Sequence, residues 1–377
     1  MYPRALIAAC LALPLAATAA DAPTTTELMT IIEAQQQQID SLKASDDSGR
    51  SPVYIGGYGE LHYNNLSRDD GSHDRQIDLH RFVLFLGYDF SERVRFYSEL
   101  EVEHALAGDD APGEVEVEQA YVQFDLTRDS YALGGLFLIP VGILNETHEP
   151  PTFYGVERND VENILIPATW WAGGAMYGQR FGNGLSFDVA VHEGLAVPTA
   201  GSSAFRIRSG RQKTAEANGN NLAYTGRLKY TGLPGVELAA SMQYQSDVSQ
   251  IENDGLNEAV LSTAHVDLNK GLFGFRALYA NWELKGSGPR AVGTDSQTGW
   301  YLEPSIKPFE QLGFYYRYED LDAARDSDRF SQHQLGVNYW PHPQVVIKAD
   351  LRQREHDLAS ESGRDFDGFD LGIGYQF

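Results

Sequence analysis

The feature that most constrains this chain is a two-residue alternation of apolar and polar side chains, which is strictest in the last nine residues. From Phe369 to Phe377, bulky apolar residues occupy the odd positions, and small or polar residues occupy the even positions. Such alternation indicates a β-strand with one apolar and one polar face. A strand that crosses a bilayer carries aromatic residues at the interface, where Tyr375 and Phe377 fit. We therefore interpret 369–377 as the closing strand of a barrel.

The same alternation recurs in about sixteen segments from Tyr54 onward. In the segment from Arg93 to His104, apolar residues alternate with charged ones, including Glu99 and Glu101. A strongly charged face over so long a run fits a water-filled lumen better than a soluble sandwich. An even number of segments, each long enough to cross a bilayer when tilted, predicts an all-β transmembrane antiparallel barrel over 51–377.

The connections between these segments alternate in length, which is independent support for a barrel. Tight turns such as Ser91-Glu92 and Pro341-His342-Pro343 alternate with longer polar stretches such as 64–74 and 139–167. Short turns on one side and long loops on the other are typical of an outer-membrane barrel with both ends in the periplasm.

The N-terminal residues predict export. Arg4 is followed by an apolar run and then by small residues, as in a secretory signal peptide over 1–20. The only cysteine, Cys10, lies in this run, so the exported chain contains no disulfide. The sequence before Cys10 resembles a lipoprotein box, but a short apolar core makes acylation the weaker interpretation.

Residues 21–50 form a polar segment that precedes the barrel. Leu28, Ile32, Gln35, Ile39 and Leu42 have heptad spacing, which predicts a short periplasmic helical segment. Two heptads do not make a stable lone helix. A small parallel coiled coil, with three strands as the best fit, and a disordered Gln-rich linker both stay open.

The charge and hydropathy of the chain exclude other classes. A formal charge of -24 argues against a nucleic-acid partner, since binding a polyanion requires a clustered basic face. After the signal peptide, no stretch approaches the roughly 18 apolar residues of a membrane helix. Any membrane span is therefore expected to be a β-strand.

The longest connection carries a family resemblance. It opens with Gly135-x-Phe137-x-x-Pro140-x-Gly142, continues through His148-Glu149-Pro150 and ends with Tyr154-x-x-Glu157-Arg158. This pattern resembles the phosphate-selective porin family (porins O and P). The resemblance extends over about Tyr54 to Phe377 in pattern, and is specific in this loop and the last strand. It implies a trimeric 16-stranded outer-membrane channel whose third loop folds into the pore.

The charges predict where selectivity would arise. The third loop is acidic apart from Arg158, which argues against specific phosphate transport, whereas basic residues occur on the predicted lumen face. Opposed acidic and basic walls would set a field across the pore, and rings of one sign would select the opposite ion. Alternatively, the charges merely pair and solvate the lumen.

The predicted constriction residues are Glu146, His148, Glu149, Glu157, Arg158 and Asp160. The predicted lumen charges are Arg81, Arg93, Arg95, Glu99, Glu101, Arg227, Lys229, Arg317, Lys348 and Arg352.

Three smaller features have predicted positions. Arg206, Arg208, Arg211 and Lys213 form a basic loop, interpreted as a lipopolysaccharide or anion contact or as a solvated loop. His148 and His192 have no partners at metal-ligand spacing, so neither a metal site nor a cofactor is expected. Trp170-Trp171 is expected in the interfacial aromatic belt.

These observations predict a porin of the bacterial outer membrane. We expect passive diffusion of small hydrophilic solutes, with a lean toward anions or phosphate-like solutes, through a lumen narrowed by loop 139–167. The expected partners are outer-membrane lipid, lipopolysaccharide and two further copies of the chain. Two alternatives are an outer-membrane barrel enzyme such as a lipid hydrolase, and a soluble secreted β-sandwich. No catalytic residues are predicted, because no Gly-x-Ser-x-Gly or His-Glu-x-x-His motif is present.

Overall fold

Each alternating segment pairs with the next one along the chain, and the last strand returns to the first. The computed structural model describes residues 51–377, and they form a closed barrel of sixteen antiparallel strands. The predicted all-β barrel is confirmed, and the β-sandwich alternative is wrong. The segments predicted as signal peptide and periplasmic helix lie outside the described residues. The strands are β1 Val53–Arg68, β2 His73–Ser91, β3 Val94–Glu103, β4 Val115–Asp125, β5 Ser130–Leu138, β6 Trp171–Arg180, β7 Leu185–His192, β8 Ala223–Tyr230, β9 Val236–Gln245, β10 Ala259–Lys270, β11 Phe273–Leu284, β12 Ser296–Phe309, β13 Leu312–Asp322, β14 Arg329–His342, β15 Val345–His356 and β16 Phe366–Gln376.

Strand β16 closes the barrel, as its alternation predicts. It pairs with β15 on one side and with β1 on the other, where Leu61 faces Ile373. Phe377 exchanges two backbone hydrogen bonds with Gly57, at 2.8 and 3.0 Å. Leu371 and Ile373 are exposed on the outside of the barrel, while Asp370 is buried inside. A closed barrel leaves no unpaired strand edge, which is the condition for crossing hydrocarbon with strands.

Long connections on one side of the barrel alternate with tight turns on the other. Loop L2 (104–114), loop L3 (139–170) and loop L4 (193–222) are the longer connections used below, and L3 follows the fifth strand as predicted. The first loop is shorter than its polar sequence suggests, because β1 and β2 extend through most of 64–74. Asp70 accepts hydrogen bonds from the backbone and hydroxyl of Ser72, which stabilises a tight turn there.

Within residues 51–377, the helical elements are short and lie in the loops. They are the α-helix α1 (Ser287–Val292), a π-helical turn at Val161–Leu165, and single 3-10 turns, two of which are Pro150–Thr152 and Ile207–Gly210. Among residues 51–377, no helix is long and apolar enough to cross a membrane.

The interior of the barrel is partly filled by the loops. Ile139, Val141 and Leu165 of L3 join a buried apolar cluster with Trp282 of β11 and Leu261 of β10. The sequence predicts a lumen lined by polar groups, whereas apolar side chains fill this part of the interior. The cause of this difference is the apolar content of L3 itself, which is buried when the loop folds against the wall. Among the cavities formed by residues 51–377 are three that are lined in large part by polar side chains.

Candidate functional site

Loop L3 is held inside the barrel by a buried carboxylate. Glu162 has no exposed surface, and its Oε1 accepts hydrogen bonds from the backbone N–H groups of Ile143 (2.5 Å) and Leu144 (2.7 Å). Its Oε2 accepts from Tyr301 on β12 (2.9 Å) and from Asn159 (3.1 Å). One side chain therefore joins the start of L3, its later part and the wall.

Asn145 ties the two ends of L3 together. Its Nδ2 donates to the carbonyl oxygens of Ile139 (2.8 Å) and Trp170 (2.9 Å), and its Oδ1 accepts from the Trp170 N–H (2.6 Å). Gly142 has φ +76, and a Cβ there would lie 2.5 Å from Glu162 Oε1. Both backbone conformation and space therefore require a glycine at position 142, the second glycine of the motif that opens the loop.

The middle of L3 is fixed to strands β13–β16. Val156 N–H donates to Asp350 (2.8 Å), and the Gly155 carbonyl accepts from Lys348 (2.8 Å). Asp160 forms an ion pair with Arg354. A Cβ on Gly374 would lie 2.3 Å from Pro150, so a small residue is needed where the loop meets β16. The small even-numbered positions of the last strand therefore leave room for L3.

The other face of L3 lies against strands β1–β4 through two polar side chains. Glu157 accepts hydrogen bonds from Asn64 (2.9 Å) and contacts His62 (3.2 Å). Burial opposes ionisation of Glu157, but hydrogen bonding and charge from His62 outweigh it, so the pKa of this carboxyl lies well below its usual range. His148 lies 3.4 Å from Glu99 and 3.9 Å from Glu118.

Two β-bulges add polar residues to the lumen wall near L3. The register between β1 and β2 shifts at Glu60/Leu61, which leaves His80 as an extra residue of β2. The register between β3 and β4 shifts at Glu99/Leu100, which leaves Glu118 as an extra residue of β4. Each bulge changes the phase of the alternation, so that consecutive polar residues face inward. The sequence carries a sign of both changes that the interpretation above did not use, because the apolar positions change from odd to even numbers across each bulge.

Loop L4 folds onto the end of L3. Arg208 donates to the carbonyl oxygens of Asn163 (3.0 Å) and Ala168 (2.9 Å), and Arg211 donates to that of Thr169 (2.7 Å). The interpretation of these two arginines as part of a solvated loop is therefore wrong, while a lipopolysaccharide or anion contact of the basic loop stays a prediction. Burial lowers the pKa of both guanidinium groups, and a neighbouring arginine adds to this for Arg208. Unpaired carbonyl groups at the end of L3 explain why the arginines turn inward.

L3 lines two of the three cavities in part. One of about 370 Å³ is on the loop side, lined by carboxylates of β1–β4 and by arginines of L3 and L4 such as Arg158 and Arg208. A second, of about 710 Å³, lies by the turns of β2–β6 and is lined by Arg93, Arg95 and Tyr121 among others. The third, of about 520 Å³, lies by the turns of β10–β15.

A layer of buried side chains lies between the 370 Å³ and 710 Å³ cavities. It contains Tyr58, Glu99, Glu118, Gln119 and His148, none more than 9% exposed. Gln119 donates to Glu99 (2.5 Å), and the Tyr58 ring packs edge-on against His148 at 5.7 Å between centroids. Apart from the ring face of Tyr58, the side chains of this layer are polar. His148 comes from L3, and the other four residues come from the strands.

The predicted constriction residues all lie within L3, but they face different walls. His148 and Glu157 face β1–β4, whereas Asp160 pairs with β15 and Glu146 pairs with Arg227 of β8. Arg158 donates to Thr169 (3.0 Å) and to the His148 carbonyl (3.4 Å). Burial and the charge of Arg81 lower the pKa of its guanidinium group. Glu149 is half-buried in the same loop.

The predicted lumen charges lie inside the barrel. Arg81 pairs with Glu60 (2.8 Å) and Arg317 with Glu303 (2.6 Å). The remaining contacts are Arg95 with Asp125, Arg227 with Asp188, Lys229 with Glu237, Arg352 with Asp370, Lys348 with the Gly155 carbonyl, Glu99 with His148 and Glu101 with Arg81, while Arg93 lines the 710 Å³ cavity. The roles of these residues in transport stay predictions.

Two further expectations are wrong. Trp170 and Trp171 are 1% and 4% exposed and lie inside the barrel, with Trp170 packed near Trp282 at 6.4 Å between centroids. His148 does have partners at metal-ligand spacing, since Glu99 and Glu118 converge on it. Sequence separation conceals this convergence, because the three residues come from two strands and a loop. His192 instead contacts Thr225 (2.9 Å).

The sequence interpretation also missed a histidine cluster near the loops. Asp78, His80 and His104 form one group with ligand atoms within 4.8 Å, and His62, His80 and Glu157 form another. Regular alternation places Asp78 and His80 on one face of β2, and this pattern in the sequence could have indicated that the two side chains are close. The approach of His104 from the next loop has no such signal.

Comparison with solved structures identifies the class of fold. The barrel is similar to an anion-selective porin from Comamonas acidovorans (TM-score 0.61, 14% identity, 86% of this chain and 99% of that one). It is also similar to Salmonella typhi OmpF in complex with daunomycin (TM-score 0.60, 14% identity, 86% and 97%). A third similar structure is the outer membrane channel DcaP of Acinetobacter baumannii (TM-score 0.59, 13% identity, 86% and 97%). The fold is thus that of 16-stranded porins.

Comparison of sequences gives the family. No family model matches the chain. An uncharacterized protein of Aquifex aeolicus (strain VF5) is 31% identical over 81% of this chain and 76% of that protein. The chain belongs to the same family as that protein. The finer resemblance to phosphate-selective porins stays a prediction.

Proposed function

We propose that the protein is a bacterial outer-membrane channel for passive diffusion of small hydrophilic solutes. The observation that carries this proposal is the polar layer of Glu99, Glu118, Gln119 and His148 between two polar-lined cavities of about 370 and 710 Å³. Solutes would pass between L3 and strands β1–β4, where movement of His148 would join the cavities. L3 and the apolar cluster fill the opposite side of the lumen.

The sign of the preferred ion depends on two opposed groups of charges in the 370 Å³ cavity. Arg158, Arg208 and Arg211 donate to carbonyl oxygens or a hydroxyl, so no contacting carboxylate within residues 51–377 neutralises them. Facing them are carboxylates of β3 and β4, including Glu101 and Glu118. The arginines support the anion preference that the family resemblance implies, and the carboxylate wall opposes it. This opposition favours a field across the pore over specific phosphate binding.

The outer surface of the barrel supports a membrane location. Exposed Leu84, Leu86, Leu100 and Leu351 belong to an outward apolar surface of the kind that hydrocarbon covers. We propose lipid contact for this surface. Assembly as a homotrimer follows from the family resemblance, and contact with lipopolysaccharide stays a proposal that rests on the basic residues of L4.

The enzymatic alternative has weak geometric support. Within residues 51–377, Ser67 Oγ lies 3.1 Å from His73 Nδ1, and both residues are in an exposed part of the barrel wall. A hydrolase would also need an acid that orients the histidine and donors for an oxyanion. Phospholipid hydrolysis that disappears in Ser67→Ala would favour this alternative over transport.

Substituted cysteines test the proposed path directly, since the only native cysteine lies in the predicted signal peptide. Gln119→Cys places a thiol in the polar layer, and Leu100→Cys places one on the outer surface of the neighbouring strand. A charged methanethiosulfonate reagent should reduce the single-channel current of Gln119→Cys and leave that of Leu100→Cys unchanged. Absence of conductance in the unmodified protein would refute the channel, and an unchanged Gln119→Cys current would place the path elsewhere.

A further inference from the structure

The strongest unexplained feature is a convergence of two imidazoles and a carboxylate near the loop end of the barrel. Asp78 Oδ2 lies 2.7 Å from His104 Nδ1 and 3.2 Å from His80 Nδ1. We propose that Asp78, His80 and His104 bind a divalent transition-metal ion of the zinc class. The site is separate from the Glu99–Glu118–His148 layer proposed for solute passage.

Two local irregularities of the backbone occur where these side chains meet. His80 is the extra residue of the β2 bulge, so it faces the lumen next to Arg81. His104 begins L2 with φ +52, a left-handed conformation that is uncommon for residues other than glycine. This conformation occurs directly at the end of β3, where the chain turns and the His104 ring meets Asp78. Regular alternation already places Asp78 and His80 on one face of β2, and the turn at His104 adds the third side chain.

The ligand types and distances suit zinc. Imidazole nitrogen and carboxylate oxygen both bind Zn²⁺ at about 2.0–2.1 Å, which places two ligands of a tetrahedral ion roughly 3.3 Å apart. The distances from Asp78 to the two histidines, 2.7 and 3.2 Å, lie below this value, and small side-chain movements would open them to it. Three protein ligands leave a fourth position for water. Imidazole also favours copper and nickel over magnesium and calcium.

An ion from solution can reach this site. The side chains of Asp78, His80 and His104 are 12%, 28% and 30% exposed, and both histidines line the 370 Å³ cavity. Glu101 and Glu103 line the same cavity and would attract a cation. The His62 ring stacks on the His80 ring at 4.7 Å between centroids and 13° between planes, which limits rotation of His80.

Occupancy of the site would affect transport if the barrel is a channel. An ion would place two positive charges in the loop-side cavity, across from Arg158 of L3. It would also fix the start of L2 to β2. We expect Zn²⁺ to reduce conductance, and this consequence rests on the proposed function, whereas binding itself does not.

Binding of Zn²⁺ to the untagged full-length protein in detergent tests the site without requiring a channel. The wild-type protein should bind one Zn²⁺ ion per chain at this site. His80→Ala and His104→Ala should each weaken binding by at least about tenfold, since loss of even a supporting residue costs about 10–100-fold in affinity. Asp78→Asn should weaken it too, while preserving side-chain volume. Co²⁺ in place of Zn²⁺ should give d–d absorption bands that the same substitutions remove.

The control is His265→Gln. His265 faces the lumen on β10 beside a single carboxylate, Glu237 (3.2 Å), so it offers one imidazole near an acid without a second imidazole. Its substitution should leave Zn²⁺ affinity unchanged. Retention of heat-modifiable mobility in gels would show that each variant still folds as a barrel. If a histidine variant misfolds, Asp78→Asn tests the site in its place.

Two binding results would overturn the proposed site. One is absence of Zn²⁺ binding to wild type, which would show that Asp78 only accepts hydrogen bonds from the histidines. The other is binding that survives Asp78→Asn and His80→Ala but disappears in Glu118→Gln, which would place the ion at His148. Conductance is then measured separately. Binding without inhibition would preserve the site and refute only its effect on transport.

Discussion

His148 Nε2 of L3 lies 3.4 Å from Glu99 Oε1 of β3, and this contact joins the loop to the wall between two cavities. The His148 ring is held from behind, because its Nδ1 lies 3.2 Å from the Asn145 carbonyl. Asn145 in turn binds both ends of L3. The position of the ring is therefore coupled to the closure of the whole loop.

Shortening His148 should widen the channel. His148→Ala removes the one L3 side chain of the polar layer, so we expect a larger single-channel conductance in planar bilayers. His265→Ala, which removes a lumen-facing imidazole from β10, should leave conductance nearly unchanged. A His148→Ala channel with wild-type conductance would show that the layer does not limit the current.

Glu162 should be the residue whose loss most disturbs L3. Glu162→Ala leaves the buried N–H groups of Ile143 and Leu144 without their acceptor, at about 1–3 kcal/mol each, or about 2–6 kcal/mol in total. We expect a lower free energy of unfolding in detergent and faster proteolysis within L3. Glu162→Gln keeps one carbonyl oxygen and should lose less.

Glu149→Ala is the matched control for this prediction. It removes a carboxylate from the same loop at a half-buried position. Its unfolding free energy and proteolysis rate should stay close to those of wild type. Equal losses in Glu149→Ala and Glu162→Ala would contradict the role assigned to the buried carboxylate.

Arg158 should influence ion preference. Its guanidinium lines the 370 Å³ cavity and contacts a hydroxyl and a carbonyl rather than an acid. Arg158→Ala removes this positive charge opposite a carboxylate wall, so the ratio of anion to cation permeability should fall. Reversal potentials in a KCl gradient measure the ratio. Arg290→Ala, in the exposed helix α1, is the control and should not change it.

The stability contributed by Glu157 should depend on pH. Its pKa in the folded protein lies well below the ordinary value of 4.5, chiefly because His62 outweighs the effect of burial. A carboxyl with a lowered pKa stabilises the folded state above its unfolded pKa, and this contribution is lost as pH falls through the folded pKa. Wild type should therefore unfold at a higher temperature than Glu157→Gln above about pH 5.

The difference between these two proteins should shrink as the pH falls below about 4.5. Glu149→Gln, which removes a carboxylate from a half-buried position of the same loop, is the matched control variant. A constant difference between wild type and Glu157→Gln from pH 3 to pH 7 would mean that packing, rather than the charge of Glu157, stabilises this part of L3.

The barrel was predictable because hydrocarbon and water act on every strand in the same way. Alternation identifies residues such as Leu371 and Asp370 by face, and connection lengths distinguish loops from turns. The position of L3 after the fifth strand was predictable for the same reason. Its path was not, since Glu162 reaches Tyr301 on β12 across 139 residues of sequence.

The sequence interpretation failed where tertiary contacts override local pattern. Trp170 and Trp171 resemble interfacial aromatics by composition, but the return of L3 buries them inside. Arg208 and Arg211 resemble a solvated basic run, but unpaired carbonyl groups of L3 draw them inward. In both cases the environment of the residues is set by the way in which L3 and L4 fold inside the barrel.

The bulge at Glu118 makes a prediction about deletions. Val115 and Val117 face outward before the bulge, Phe124 faces outward after it, and Glu118 is the residue that changes the phase. Deleting Glu118 joins outward Val117 to inward Gln119, so every other residue of β4 keeps its face. The barrel should therefore still fold, as heat-modifiable mobility in gels would show. Deleting Tyr121 instead turns Val122 and Phe124 inward and should prevent folding. Equal failure of both deletions would mean that the extra residue is needed for more than the phase of the strand.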